Sequence, residues 1–400
     1  MYKLSEDGKT IVGCNEDAWR TTPHIWFEKG KDSKYSCCFT GSRQIGKKRF
    51  AAQSGMNEYG LTFSRLVAYH PKKKNESDKR TIENPDLFLM EIMRTCKNIN
   101  DVYEKFDQYD RTCFIDDVLI YIEPSGNQLI VEPYRLIKGN DPTLVQANFC
   151  PSITLDKNRR KQERYRKGKD FLKTGFNTTD SFCRELSSEM HVCRDKIGDG
   201  TLLTSIWDTK SLKVTLFFYH DYSEKIVFNL KDEFLKGDHQ LEVSSLFTEN
   251  QEFEQLKSYV TPFNTNWIRI LLALTGLLFM FSALYFGVTL FSKKYREGRS
   301  FRVILFFVLS ICFVYMFVLT TNIEIYYFSS PYNPYGSSLI TISYYTPYVI
   351  LFSLFTIGFL HLRKNYFKSW SGFSKGLLIA NSLILASLTL VFFYWGILPS

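Results

Sequence analysis

The run Gly13-Cys14-Asn15-Glu16-Asp17-Ala18-Trp19 places a thiol, an amide and two carboxylates side by side near the start of the chain. By type these groups can attack a carbonyl, donate to developing negative charge and orient a proton carrier. The ordinary role of an Asp just after a strand is nevertheless a turn or cap. Two further polar groups stand apart: Asn148, in Val145-Gln146-Ala147-Asn148-Phe149, and Arg164, in Gln162-Glu163-Arg164-Tyr165. An Arg on a Lys/Arg-rich helix usually faces solvent. A second run, Gly55-Met56-Asn57-Glu58-Tyr59-Gly60-Leu61, reads as a tight turn in which Gly60 supplies a positive φ. Eight of the nine Cys precede residue 200, and the six His are scattered. No Cys-x-x-Cys or Cys/His pair has metal-ligand spacing, so neither a metal nor a cofactor is expected.

The elements that must position these groups follow from patterning. Residues 10–14, 24–28, 35–40, 49–54 and 61–68 are β-branched or aromatic and broken by Gly or Lys clusters, which predicts strands. Asn84-Pro85-Asp86 opens a helical pattern, and a second helix is expected over 100–109, capped by Asn100 or Asp101. Residues 117–122 and 127–132 flank Pro124-Ser125-Gly126 as a hairpin. A strand over 144–149, helices over 159–172 and 179–192, and strands over 201–207 and 212–219 complete the pattern. Strands, helices, strands, helices and strands in that order predict a layered α+β domain.

From Trp267 onward the chain changes character. Residues 267–291, 303–321, 345–362 and 376–398 are apolar runs of roughly 18 to 25 residues, long enough to cross a bilayer as helices. The sequence therefore predicts a domain over 1–248, a linker over 249–266 and a membrane domain of four transmembrane helices over 267–400. Lys293, Lys294, Arg296, Arg299 and Arg302 follow the first run, and Arg363, Lys364, Lys368 and Lys375 follow the third. These clusters mark the cytoplasmic side and place the N-terminal domain outside the cytoplasm. They also account for the net charge of +9 without a nucleic-acid partner. Export of the domain allows disulfides, while Cys312, inside a span, reads as packing. No Asp or Glu lies within a span, which argues against an ion path.

Asp7-Gly8-Lys9-Thr10-Ile11-Val12-Gly13-Cys14-Asn15-Glu16-Asp17 and the Gly55 to Leu61 turn together resemble the opening of the choloylglycine hydrolase and penicillin acyltransferase-like branch of the N-terminal nucleophile (Ntn) hydrolases. Further similarity runs through Thr204-Ser205-Ile206-Trp207-Asp208 and through 233–247. The resemblance covers about residues 1–248 and implies an αββα sandwich that cleaves linear amides. It implies an N-terminal Cys that is both nucleophile and base, an Asp orienting its amine (Asp17), an oxyanion Asn (Asn148) and a pocket Arg (Arg164). Asn15, Trp19 and Asn57 are the matching candidates for substrate contact. Two positions depart from the bile-salt hydrolases: Cys14 replaces an Arg, and Val67 or a neighbour replaces an Asn. Cys14 is a poor substitute nucleophile, because exposing its amine would sever the strand that presents Asp17.

Counting back along the motif, the expected Cys falls one to three residues ahead of Met1. The sequence thus predicts an upstream export segment whose removal exposes that Cys. The leading expectation is a membrane-anchored amidohydrolase acting on a small-molecule N-acyl amine or acyl-amino acid. The alternative is an inactive scaffold that binds a ligand or partner at the bilayer.

Overall fold

A computed structural model describes residues 1–18, 22–45, 49–73, 78–194, 199–263, 265–292, 298–326, 342–362, 367 and 370–398. The chain divides into two compact units, Met1–Lys257 and Ser258–Ser400. In the first unit the strands longer than two residues are β1 (Tyr2–Glu6), β2 (Lys9–Ala18), β3 (His24–Glu28), β4 (Cys37–Gly41), β5 (Ser54–Asn57), β6 (Thr62–Val67) and β7 (Asp117–Ile122). They continue as β8 (Gln128–Glu132), β9 (Arg135–Gly139), β10 (Thr143–Val145), β11 (Asp199–Asp208), β12 (Lys213–Phe218), β13 (Asp221–Asn229) and β14 (His239–Glu242). The helices that matter below are α1 (Pro85–Thr95), α2 (Ile99–Asp107), α3 (Glu163–Phe171) and α4 (Asp180–Glu189).

The strands form two antiparallel sheets, one in the order β10-β1-β2-β11-β12-β13 and the other β9-β8-β7-β6-β5-β4-β3-β14. Their side chains separate into three cores. Val12, Cys14, Phe27, Met56, Ile120 and Trp207 pack between the sheets. Phe39, Phe63, Tyr121 and Val131 pack under Ile92, Met93 and Phe106 of α1 and α2. Tyr2, Ile11, Ile206 and Phe217 pack under Tyr165 and Leu186 of α3 and α4. Helices, sheet, sheet and helices therefore stack as four layers, the αββα arrangement expected, because each sheet buries both of its alternating faces.

Local signals account for many boundaries. The Asn84 side chain accepts from Leu87 N with Pro85 at the first helical position of α1, which satisfies a free N–H of that terminus. The 117–122/127–132 hairpin forms as β7 and β8. Other expectations need correction. α2 is capped by Asn98, not Asn100 or Asp101, and begins at Ile99. The helix expected over 159–172 starts only at Glu163, because Asp156–Arg159 forms a separate turn. The strand expected over 144–149 ends at Val145, which leaves Asn148 outside the ladder. The strand expected over 49–54 gives way to a two-residue piece and β5. Among the described residues eight cysteines are free thiols and none is paired.

The second unit contains α5 (Asn266–Thr289), α6 (Arg299–Thr321), α7 (Thr346–Leu362) and α8 (Gly372–Tyr394). α5, α6 and α8 are long and apolar enough to cross a membrane, with mean hydropathies of 2.1, 2.8 and 2.2. The helix expected over 345–362 is there, but its 17 residues span only about 26 Å, short of a hydrocarbon core of roughly 30 Å. Outward-facing Leu277, Phe307, Phe317, Phe352, Leu383 and Leu390 are exposed, an apolar exterior that water does not favour. Arg302, counted above with the loop charges, instead lies buried in the first turn of α6, its guanidinium 4.1 Å from the centroid of the Trp370 ring. Most of the other loop charges fall outside the described residues, so the sidedness they suggested has no structural counterpart.

Gly60 has φ +77°, and a Cβ there would stand 2.3 Å from Thr209 O. Both the dihedral and the close approach require glycine. Gly60→Ala should therefore cost at least about 1–3 kcal/mol in chemical denaturation of the full chain.

Candidate functional site

β2 lies between β1 and β11, and its alternation sends successive side chains to different layers. Val12 and Cys14 enter the core between the sheets, and Glu16 follows them, accepting from Thr40 Oγ1 and, at 2.8 Å, from Ser54 Oγ of the opposite sheet. Ser54 contacts Ser205 Oγ at 3.2 Å, and Trp207 Nε1 donates to that same oxygen at 3.0 Å. Ile11 enters the core under α3 and α4, and Asn15 and Asp17 face the same way. A bulge between Thr201 and Leu203 interrupts the pairing opposite Asp17 and Glu16. Such bulges re-aim side chains, and they recur beside active sites.

Two of the residues singled out in the sequence meet here. Arg164, in the first turn of α3, donates to Asp17 Oδ2. Thr201 Oγ1 donates to Asp17 Oδ1 at 2.9 Å. The carboxylate is thus held from two sides, by a helix and by the neighbouring strand. Asn148 sits in the turn after β10, where Gln162 Nε2 donates to its carbonyl at 2.7 Å and its N–H donates to Gln162 Oε1 at 3.0 Å. Its Nδ2 donates to Val67 O at 2.9 Å, which ties this turn to the end of β6.

The end of β1 completes the cluster. The Met1 amine is buried and donates to Gln146 O at 2.9 Å, and Gln146 N returns a bond to Met1 O at 3.0 Å. Burial lowers this amine to about 6; the nearby Cys14 opposes that shift, Arg164 adds to it and Asp17 opposes it. Burial at this strand end therefore disfavours a charged nitrogen. Cys14 behaves in the opposite sense: burial first and the Glu16 carboxylate second push its thiol up to about 12. The thiolate is the reactive form, so Cys14 is a packing residue and not an activated nucleophile.

Two candidates for substrate contact are committed elsewhere. Asn57 is fully buried; its Nδ2 donates to Met93 O and Cys96 O, and its Oδ1 accepts from Tyr59 N and Leu61 N. With all four positions used, Asn57 ties the turn to α1 and has no group left for a substrate. Asn15 is buried and bridges Ser187 O and Thr204 Oγ1. Trp19 lies outside the described residues. No group of three or more His, Cys, Asp or Glu able to hold a metal occurs among the described residues.

Sequence reasoning missed Gln162, Thr201 and Glu16. Gln162 precedes Arg164 within a run already singled out, and Glu16 stood inside the first motif as a spacer. Strand alternation from Cys14 would have placed Glu16 on the inner face.

No family model matches the chain, and no curated protein matches it. Solved structures do align with it. A point variant of conjugated bile acid hydrolase from Clostridium perfringens is 15% identical, covering 63% of this chain and 98% of that one at a TM-score of 0.46. A second point mutant of that hydrolase is 14% identical, covering 62% and 97% at 0.46. Penicillin V acylase from Agrobacterium tumefaciens is 11% identical, covering 54% and 81% at 0.39.

Glu16 supplies a pH test of this arrangement. Desolvation raises its carboxyl to about 7, while the Thr40 and Ser54 hydroxyls act against the shift. A carboxyl raised in the folded state leaves stability highest below its unfolded value near 4.5. Stability is then lost as pH climbs to about 7, by on the order of 3 kcal/mol. Glu16→Gln keeps the acceptor oxygen without the titration. Its stability relative to the parent chain should therefore rise by that amount between pH 4.5 and 7.5 in denaturant titrations, and a difference independent of pH would refute the burial of a titrating carboxyl.

Proposed function

We propose that the first unit is an amide hydrolase of the N-terminal nucleophile type, carried on a membrane-embedded second unit and acting on a linear N-acyl amine or acyl-amino acid. The observation that carries this reading is the Asp17–Arg164 pair at the end of β2, a carboxylate held by α3 on one side and by Thr201 on the other. In such chemistry a terminal thiol attacks the amide carbonyl, its own amine receives and returns the proton, and fixed donors hold the oxyanion. Asp17 would orient the amine, Arg164 would fix Asp17 and bound substrate, and Asn148 would donate to the oxyanion.

The thiol belongs, in this reading, to a Cys preceding Met1. Tyr2 pairs with Gly13; the same antiparallel register sets the second residue ahead of Met1 opposite Glu16, on the face that looks between the sheets. A nucleophile there would lie near the bulge and the Asp17 pair. Export with removal of a leader would create the free amine, with the first unit outside the cytoplasm and α5, α6, α7 and α8 in the bilayer. The burial of Cys14, with its raised thiol, supports a nucleophile elsewhere on the chain. It is equally what a binding module without chemistry would show.

Mass spectrometry of the mature N-terminal peptide, from protein expressed with its native upstream sequence, should find a free Cys at or near the position ahead of Met1. Such protein should release the amine from N-acyl substrates, and Asp17→Asn should lower kcat by about 10²-fold or more with its far-UV circular dichroism unchanged. A mature chain beginning at Met1 that cleaves no amide would favour the ligand-binding scaffold.

A further inference from the structure

The helices of the second unit surround a cavity of about 440 Å³ that the chemistry above does not use. Its wall draws on all four: Phe286 of α5, Leu305 of α6, Ile357 of α7 and Leu385 of α8. Cavities of this size accommodate a small organic ligand. The wall is almost wholly apolar, and three of its five polar side chains share one property.

Asn381, on α8, is buried, and both hydrogens of its amide are committed, to Ser282 Oγ at 2.9 Å and to Leu377 O at 2.7 Å. Its Oδ1 is buried with no hydrogen-bond partner. Ser353 donates its hydroxyl proton to Val349 O at 2.7 Å, and Thr356 donates to Phe352 O at 2.9 Å. These three side chains of the wall therefore present lone pairs and no protons. Tyr345 and Tyr348 complete the wall near the start of α7. A buried acceptor left without a donor is costly in an apolar medium, where no solvent replaces the missing bond.

We infer that this cavity binds a single aliphatic chain bearing an O–H or N–H donor, with the donor on Asn381 Oδ1 and the chain along Leu305, Ile357 and Leu385. Carboxylate and phosphate head groups accept and do not donate, so the wall does not suit them at this position. A long-chain alcohol and a secondary fatty amide share the chemistry required. The inference concerns binding alone and stands or falls independently of amide cleavage by the first unit.

The test uses the full chain in phosphatidylcholine nanodiscs and hexadecanol carrying a mid-chain diazirine, with photolabelled peptides mapped by mass spectrometry. Labelling should be saturable and concentrated in the segments of α6 and α8 that contain Leu305 and Leu385. Unlabelled hexadecanol and N-methylhexadecanamide should both compete, the stronger competitor identifying the preferred donor; hexadecane should compete about tenfold less well. Asn381→Leu should weaken binding of the alcohol and the amide by about tenfold, equivalent to about 1.4 kcal/mol, and leave hexadecane unchanged. Ile357→Trp, which fills the cavity from α7, should remove the saturable component without touching Asn381. Unsaturable labelling spread over outward-facing Phe307 and Phe317, or equal competition by hexadecane and hexadecanol in the parent chain, would overturn the proposal.

Discussion

β2 is paired on both edges and covered on both faces, so none of its residues from Lys9 to Ala18 is placed independently of the others. Its period of two sends Val12, Cys14 and Glu16 between the sheets and Ile11, Asn15 and Asp17 toward the helices, and a slip of one residue would exchange the sets. Gly13 marks how tightly the strand is held: a Cβ there would stand 2.2 Å from the Tyr2 ring. The Tyr2 hydroxyl meanwhile donates to Cys183 O at 2.7 Å, on α4. Once β2 is in register, the Asp17 carboxylate is delivered to α3, where Arg164 meets it, and the end of β1 is delivered to the same place.

Burial then decides which groups at this place can react. It raises every described thiol for which a shift is resolved in the first unit, from Cys14 to Cys183, and so keeps them in the unreactive form. The same desolvation raises Glu16, leaving a carboxylic acid that titrates near neutrality. Apolar surroundings thus suppress cysteine chemistry along the strand.

Much of this was legible in the sequence where the signal was local. His24–Glu28 was marked by its β-branched and aromatic residues, α1 by Asn84-Pro85, and the β7/β8 hairpin by its turn. What escaped depended on partners far along the chain. β1 was hidden by Lys3 and Ser5, yet Lys3 is fully buried and donates to Gly126 O at 2.7 Å, a contact across 123 positions. β13 was hidden because an edge strand exposes alternate residues and keeps charges such as Glu224 and Lys225. The pairing of Asp17 with Arg164 was not readable either, since type and order named both residues but only the meeting of β2 with α3 joins them. Asn57 fitted a motif but serves the backbone, and Arg302 looked like a loop charge until Trp370 covered it.

The central claim is that reactivity resides at the end of β1 and not in the thiols along β2. Trapping tests it directly: mature protein is treated with an acyloxymethyl ketone bearing an acyl side chain, and the modified residue is located by peptide mass spectrometry. The account predicts one adduct, on the N-terminal residue of the mature chain, formed more slowly in Arg164→Ala. An adduct on Cys14, with the N-terminal residue unmodified, would contradict it.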